Sequence, residues 1–354
     1  MGNTHSIFIT GAAGYVGAML VEQFSKRNDV IKIIGLDKEP MPESFAGNSK
    51  LIYIQANTAD GSWQEKVLKE KPDVVIHTAW QIRMMYGHNE TTWKWNVDGS
   101  KAIFDLAFSV PLARLVHFST ASIYGAYATN TFEHRFKESE PMREDQYLYG
   151  VEKRNVEEIL DEMVKSAKSE APLVASIRPA AITGPRGRYM RIRFGLQSAL
   201  SGQLKGGVYG FVSALTSMVP ATKGWVRQFI HEDDIVDIVE KLAFDEWKGG
   251  RYEIYNATPN GTPVYAPDMA KAVGKKLLPI QPWMARFAYF WFWHLTRGKI
   301  PTAPGSWRFY SYPIVMDGTK LESVLGYHCQ SESTEAFVST KGRYEEFVPL
   351  DKRR

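Results

Sequence analysis

A single cysteine, Cys329, stands among 354 residues. One thiol can build neither a disulfide framework nor a cysteine zinc cluster, which fits a reducing compartment, and Cys329 reads as structural. Long apolar runs are also missing. No stretch of ~18 uncharged apolar residues occurs, so no membrane-spanning helix is expected. The first residues lack the basic-then-apolar order of a secretory signal, and a cytoplasmic location is expected. Gly2 and Ser6 match the letters of an N-myristoylation site, but Ser6 opens the first β-rich run. There is no internal repeat and no low-complexity linker. Charge of one sign is scarce: 43 Lys and Arg against 39 Asp and Glu leave a net charge of +4. That does not suggest a nucleic-acid binder, and it leaves room for an anionic substrate or cofactor. His77 and His231 lack partner ligands at metal spacing, so backbone hydrogen bonding is expected of them and no metal site.

The chain has instead a globular composition, 44% hydrophobic and 23% charged, and enough length for two domains or one large α/β domain with an appended lobe. Short β-rich runs recur at Ile7-Phe8-Ile9, Ile31 to Ile34, Leu51 to Ile54, Val74-Val75-Ile76, Leu115 to Phe118 and Leu173 to Ile177. Helical patterns lie between them, as from Tyr15 to Lys26 and from Tyr149 to Lys165. This alternation predicts an α/β fold: a Rossmann-type doubly wound parallel sheet with helices on both faces. The rhythm breaks after Pro179. The expected division is a dinucleotide-binding domain over 1–183, to which 224–257 returns, and a smaller substrate-binding lobe made of 184–223 and 258–354.

The first run leads into Thr10-Gly11-Ala12-Ala13-Gly14-Tyr15-Val16-Gly17, a G-x-x-G-x-x-G spacing between a strand and a helix. Gly11 permits a tight turn, Gly14 lets the backbone approach a pyrophosphate, and Gly17 lets helix pack on strand. The helix start at Tyr15 and Val16 then offers N–H groups and partial positive charge to the phosphates. The second run ends at Asp37, twenty residues after Gly17. A carboxylate there accepts from an adenosine ribose and repels a 2′-phosphate, which favours NAD over NADP; Lys38 weakens that preference.

The fifth run ends in Ser119-Thr120-Ala121-Ser122, and Tyr149 and Lys153 follow four apart on one helix face. The lysine ammonium is expected to stabilise a phenolate and to lower the tyrosine pKa. Tyr149 can then exchange a proton with a substrate hydroxyl that Thr120 holds in place. The Y-x-x-x-K spacing alone carries no weight, since random placement supplies about one match in such a chain. Its position after the Ser/Thr-rich strand end is what counts.

With these residues in order, the chain resembles the extended short-chain dehydrogenase/reductases, the NAD-dependent epimerase/dehydratase family. His77-Thr78-Ala79, Asn96-Val97-Asp98-Gly99, Tyr124-Gly125, Arg178-Pro179, Gly184-Pro185 and Arg227 to Asp234 match its motifs as well. The resemblance spans about residues 6 to 260. It implies a catalytic triad of Thr120, Tyr149 and Lys153. It places Thr78 and Ala79 along the cofactor and Pro179 near the nicotinamide. Asn57-Thr58 stands where relatives often carry an Asp near the adenine. Family dehydratases carry Asp and Glu directly after the catalytic Ser/Thr; here those positions are Ala121 and Ser122, which argues against dehydration. An epimerase and a dehydrogenase need the same triad. The resemblance also implies a homodimer through the helix that carries Tyr149.

Substrate signals point two ways. Arg186, Arg188, Arg191 and Arg193 cluster after Gly184-Pro185, and Arg227 sits where the family's nucleotide-sugar enzymes place a phosphate-binding arginine. Gln81 and Ser122 are expected to border the substrate. The first reading is therefore Tyr-assisted hydride transfer on a nucleotide sugar. Against it, Arg178-Pro179-Ala180-Ala181 lacks an Asn common in sugar-nucleotide enzymes, which supports an alternative resembling 3β-hydroxysteroid dehydrogenases on an apolar alcohol. A non-catalytic NAD-binding sensor or scaffold is the third reading, and the intact triad argues against it. Residues 283–295 are rich in aromatics. The expectation is a helix packed inside the second lobe; the alternatives are contact with a membrane surface, a gate for an apolar substrate and a dimer contact.

Overall fold

The computed structural model describes residues 4–167, 171–187, 218–272 and 274–350. Seven parallel strands form the central sheet: β1 His5–Thr10, β2 Val30–Asp37, β3 Leu51–Gln55, β4 Val74–His77, β5 Arg114–Phe118, β6 Leu173–Pro179 and β7 Tyr252–Ala257. Their spatial order is β7-β6-β5-β4-β1-β2-β3. The six apolar runs in the sequence each fall within one of β1 to β6. β7 is the strand that periodicity alone did not mark; it pairs with β6 from Tyr252↔Val174 to Ala257↔Pro179.

Alternation of side chains along the strands builds two cores. Ile7 and Ile9 of β1 and Val116 of β5 join the helices α1 (Tyr15–Ser25) and α5 (Glu232–Phe244) on one face. Phe8, Val75 and Leu115 point the other way, onto α2 (Gln64–Glu70), α3 (Gly99–Ser109) and α4 (Leu148–Ser166). Both faces are therefore dry, as parallel ladders require. The strand order reverses between β1 and β4, and ligands of open α/β sheets bind at that point, outside the carboxyl ends of the strands.

The second lobe is built of short pieces. Met218–Ala221 pairs with Lys276–Pro279, and Val226–Arg227 with Val264–Tyr265. Helix α6 (Pro282–Leu295) follows. Arg308 ties the lobe to the loops above β5: its Nε donates to Ala126 O at 3.0 Å and its Nη1 to Asp145 at 3.1 Å. Gly305, with φ +82°, lies so close to Gln146 and Tyr147 that a Cβ would meet their backbone at 2.7 Å.

Candidate active site

The turn between β1 and α1 is made for backbone contact. Gly11 has φ +71°, and an added Cβ would stand 2.7 Å from Ala79 N and 2.8 Å from Thr78 Oγ1. At Gly17 a Cβ would lie 2.0 Å from Gly11 O, which only glycine avoids. Gly14 caps α1 without a side-chain hydrogen bond, and no acidic residue stands in the first turn. The positive end of α1 is thus presented to an anion, and the cradle fits a dinucleotide pyrophosphate. Thr78 Oγ1 donates to Thr10 O at 2.7 Å and holds the β4 end against this turn. Asp37 has a task that the spacing did not announce: its carboxylate accepts from Ala13 N and Glu39 N, each at 3.0 Å. It pins the glycine turn and keeps lone pairs for a ribose. Lys38 is turned to Glu39 at 2.9 Å and lies over Trp95.

Other expected cofactor residues serve the fold as well. Tyr15 donates its hydroxyl to Glu232, which also accepts from Arg186 N and Gly187 N, and Val16 packs on the core. Asn57 accepts from Ala59 N and caps a short turn. Thr58 is buried; a Cβ on Gly99 would meet its Oγ1 at 2.3 Å, so the start of α3 packs directly on it. Pro179 closes β6 beside Ala257.

At the end of β5, Thr120 caps the turn Ala121–Tyr124 and accepts from Ser122 N at 3.2 Å. Burial raises the Tyr149 phenol above its ordinary value, and the nearby Thr120 hydroxyl works against that rise by favouring the phenolate. The expected lowering of Tyr149 by Lys153 is not found. The Lys153 ammonium donates to Phe118 O and lies 3.6 Å above the Trp80 ring. Burial pushes this lysine down to about 7, against the pull of Glu157 and Glu152. Trp80 also meets Tyr149 edge-on at 6.4 Å, so one indole borders both residues of the pair.

Asn96 lies in a π-turn, Lys94–Asp98, that leads into α3. Its Oδ1 accepts from Gln81 N at 2.7 Å and its Nδ2 donates to Glu152 Oε2 at 2.7 Å. Glu152 is buried and pushed up to about 7, chiefly by loss of water. Neither Asn96 nor Glu152 was given a role from sequence; the signals were an Asn inside a motif and a Glu beside the lysine. His77 departs from the backbone bonding expected of it. It bonds side chains, Thr10 Oγ1 at 2.7 Å and Ser100 Oγ at 2.8 Å, and burial lowers it to about 3, so it stays neutral. His231 does bond backbone, with Asp233 N and Lys341 O.

Ser122 and Arg227 meet in one small cleft with Ala121, Ala180, Val226, Phe309, Ile314 and Met316. The Arg227 charge opposes the rise that burial imposes on the phenols of Tyr147, Tyr289 and Tyr310. It therefore faces an aromatic wall. Gln81 lies apart from that cleft, on the β4 side, with its amide on Arg83 O at 2.9 Å. Arg186 is not brought to this group. Its Nη1 donates to both oxygens of Glu22 at 2.9 and 2.8 Å, and its guanidinium lies over Phe347. It clamps α1, and its expected substrate contact is withdrawn for that reason. Arg188, Arg191 and Arg193 lie outside the described residues. Two motif residues stand behind the site: Arg178 pairs with Glu157 at 2.5–2.9 Å and donates to Tyr124 Oη at 2.8 Å, all buried.

The aromatic segment forms helix α6, but it is not packed inside the lobe as expected. Ala285 and Trp293 are buried, while Trp283, Phe287, Phe290 and Trp291 are exposed. Tyr147, Leu148 and Tyr149 pack against the cluster that holds Trp293.

The sheet order, glycine turn and Tyr/Lys helix define a Rossmann-type enzyme fold. The model of the NAD dependent epimerase/dehydratase family matches residues 7–257, and the chain belongs to that family. Among solved structures, the Bordetella bronchiseptica enzyme WbmG in complex with NAD and UDP aligns with a TM-score of 0.70. It is 21% identical, over 98% of this chain and 96% of that one. Protein CapI of Staphylococcus aureus is 24% identical over 77% of this chain and 83% of its own length. Sterol-4-alpha-carboxylate 3-dehydrogenase, decarboxylating, of Candida albicans is 28% identical over 125 residues, which span 33% of this chain and 35% of that protein.

Proposed function

We propose that the chain is an NAD-dependent oxidoreductase or epimerase acting on a secondary hydroxyl of a nucleotide sugar. The observation that carries the reading is the convergence at the end of β5 of Thr120, Tyr149 and, one helical turn along, Lys153, whose ammonium donates to Phe118 O while the Trp80 ring borders both the lysine and the tyrosine. The glycine turn would hold NAD through its pyrophosphate, and the bound cofactor would supply hydride transfer at the carbinol carbon. Thr120 holds the reacting oxygen. Tyr149 removes or returns its proton. Because burial raises the phenol, the resting group is the acid, ready to protonate a carbonyl oxygen. Proton removal needs nearby positive charge, and Lys153, one helical turn along and brought down to about 7 by burial, would meet that need in its protonated form. Ala121 and Ser122 offer no carboxyl group for dehydration. Arg227 on the cleft, and WbmG crystallised with UDP, support a diphosphate-bearing substrate.

Tyr149→Phe should lower kcat by about a hundredfold or more. The thermal shift caused by NAD should persist in that variant. Full turnover by the Phe enzyme would remove Tyr149 from its role. Saturating UDP added to the NAD complex should raise Tm by a few degrees. The apolar walls of the cleft favour a second reading, an alcohol on an apolar skeleton. A shift with a sterol and none with UDP would select it.

A further inference from the structure

Helix α6 presents apolar residues on both sides. Its inner line is Ala285, Tyr289 and Trp293, spaced four apart. Its outer line keeps large side chains in water: Trp283 is 68% exposed, Phe287 62%, Phe290 55%, Trp291 44% and Leu295 73%. The offsets 0, 4, 7, 8 and 12 place these five on one face. A surface helix that is apolar all round has an unmet partner, and a patch of this kind marks a contact site.

The charge around it says what that partner is. Between Asp268 and Asp317 the chain has no Asp and no Glu, 48 residues in which seven Lys and Arg stand. Arg286 within the helix and Arg297 and Lys299 just past its end are exposed. A second copy docked through this face would set these cations against their own images. An anionic lipid surface matches them instead. Tryptophan and phenylalanine belong at the headgroup level, with arginine and lysine reaching phosphates. At 1.5 Å per residue the 14-residue helix is about 21 Å long, less than a bilayer core, so it lies along the surface.

We propose that α6 is an in-plane anchor that seats this enzyme on an anionic bilayer, its outer face sunk among acyl chains and its cations on the headgroups. Because Trp293 on the inner face packs with the cluster beside Tyr149, the seated enzyme holds its reaction site against the lipid surface. The anchoring does not depend on which alcohol the site oxidises.

The test is co-sedimentation of the full chain, saturated with NAD, with vesicles of phosphatidylcholine alone or with phosphatidylglycerol added. The wild type should pellet with the anionic vesicles, and its tryptophan emission should shift to the blue. The exposed triple variant Phe287→Ser/Phe290→Ser/Trp291→Ser should lose about tenfold or more in vesicle affinity while keeping the NAD-induced thermal shift. Arg286→Glu/Arg297→Glu/Lys299→Glu should lose at least as much on anionic vesicles. A wild type that stays in the supernatant with both vesicles overturns the proposal. So does a dimer in sedimentation velocity that the serine variant splits, with no vesicle binding, since the face would then be occupied by protein.

Discussion

The glycine turn at β1 and helix α6 are built on opposite principles. In the turn the backbone does the work: Gly11 and Gly17 are fixed by atoms 2.0–2.8 Å from where a Cβ would stand, and no other residue type fits. In α6 the backbone is ordinary, and everything depends on which side of the helix is covered. A feature that only one residue type can satisfy leaves its mark in the letters. A feature set by the presence or absence of a neighbour does not, because an aromatic residue looks the same in a sequence whether it is packed or bare.

The sharpest way to break this comparison is Gly17→Ala. The new methyl group meets a carbonyl rather than a flexible side-chain end. A loss of about 3 kcal/mol in urea unfolding, or failure to bind NAD, is expected. A neutral result would mean that the turn yields more than its contacts allow. Next come the two arginines that looked alike in sequence. Arg186→Ala should cost about 1–2 kcal/mol through the lost Glu22 clamp and leave the UDP shift in place. Arg227→Ala should abolish the UDP shift with little change in stability. Calorimetric scans of both variants, with and without UDP, separate the roles.

Glu152 gives a smaller, pH-dependent effect. Its folded carboxyl titrates near 7 against 4.5 in an ordinary glutamate, so the folded chain holds the extra proton. The stability it contributes is full below about pH 4.5 and is lost as pH rises through about 7. Lys153, lowered to about 7 from 10.5, acts in a separate window above that. Glu152→Gln should therefore flatten the fall of Tm between pH 4.5 and 7. An unchanged slope would place the titration elsewhere. The smallest effect is expected on α6: Phe287→Ser should change stability in buffer by no more than about 0.5 kcal/mol, because the ring is bare. A larger loss would show that this face is covered in the free protein.

Much of the architecture was readable because its causes are local. Ile7 to Ile9 and Val74 to Ile76 are apolar at every position, as strands buried on both faces must be, and each became a central strand. Tyr149 and Lys153 were readable as a helical pair, but the lysine's partners were not. Trp80 lies 73 residues away in sequence, and only the assembled sheet brings its ring under the ammonium. The same holds for Glu22 with Arg186, which are 164 residues apart. β7 was missed because Tyr252-Glu253-Ile254-Tyr255 carries a charge and little apolar continuity, as suits an edge strand.

All seven strands run in one direction, so the molecule has a working end and a silent one. The connections that enter the strands, around Lys26–Asp29, Lys71–Asp73, Pro111–Ala113 and Gly249–Arg251, lie at the amino rim, a full strand length from Tyr149. A fluorophore, a peptide insert or a tether to a solid support placed there leaves the reaction chamber and α6 unobstructed. That rim is the natural handle for holding the enzyme still while its other end is observed.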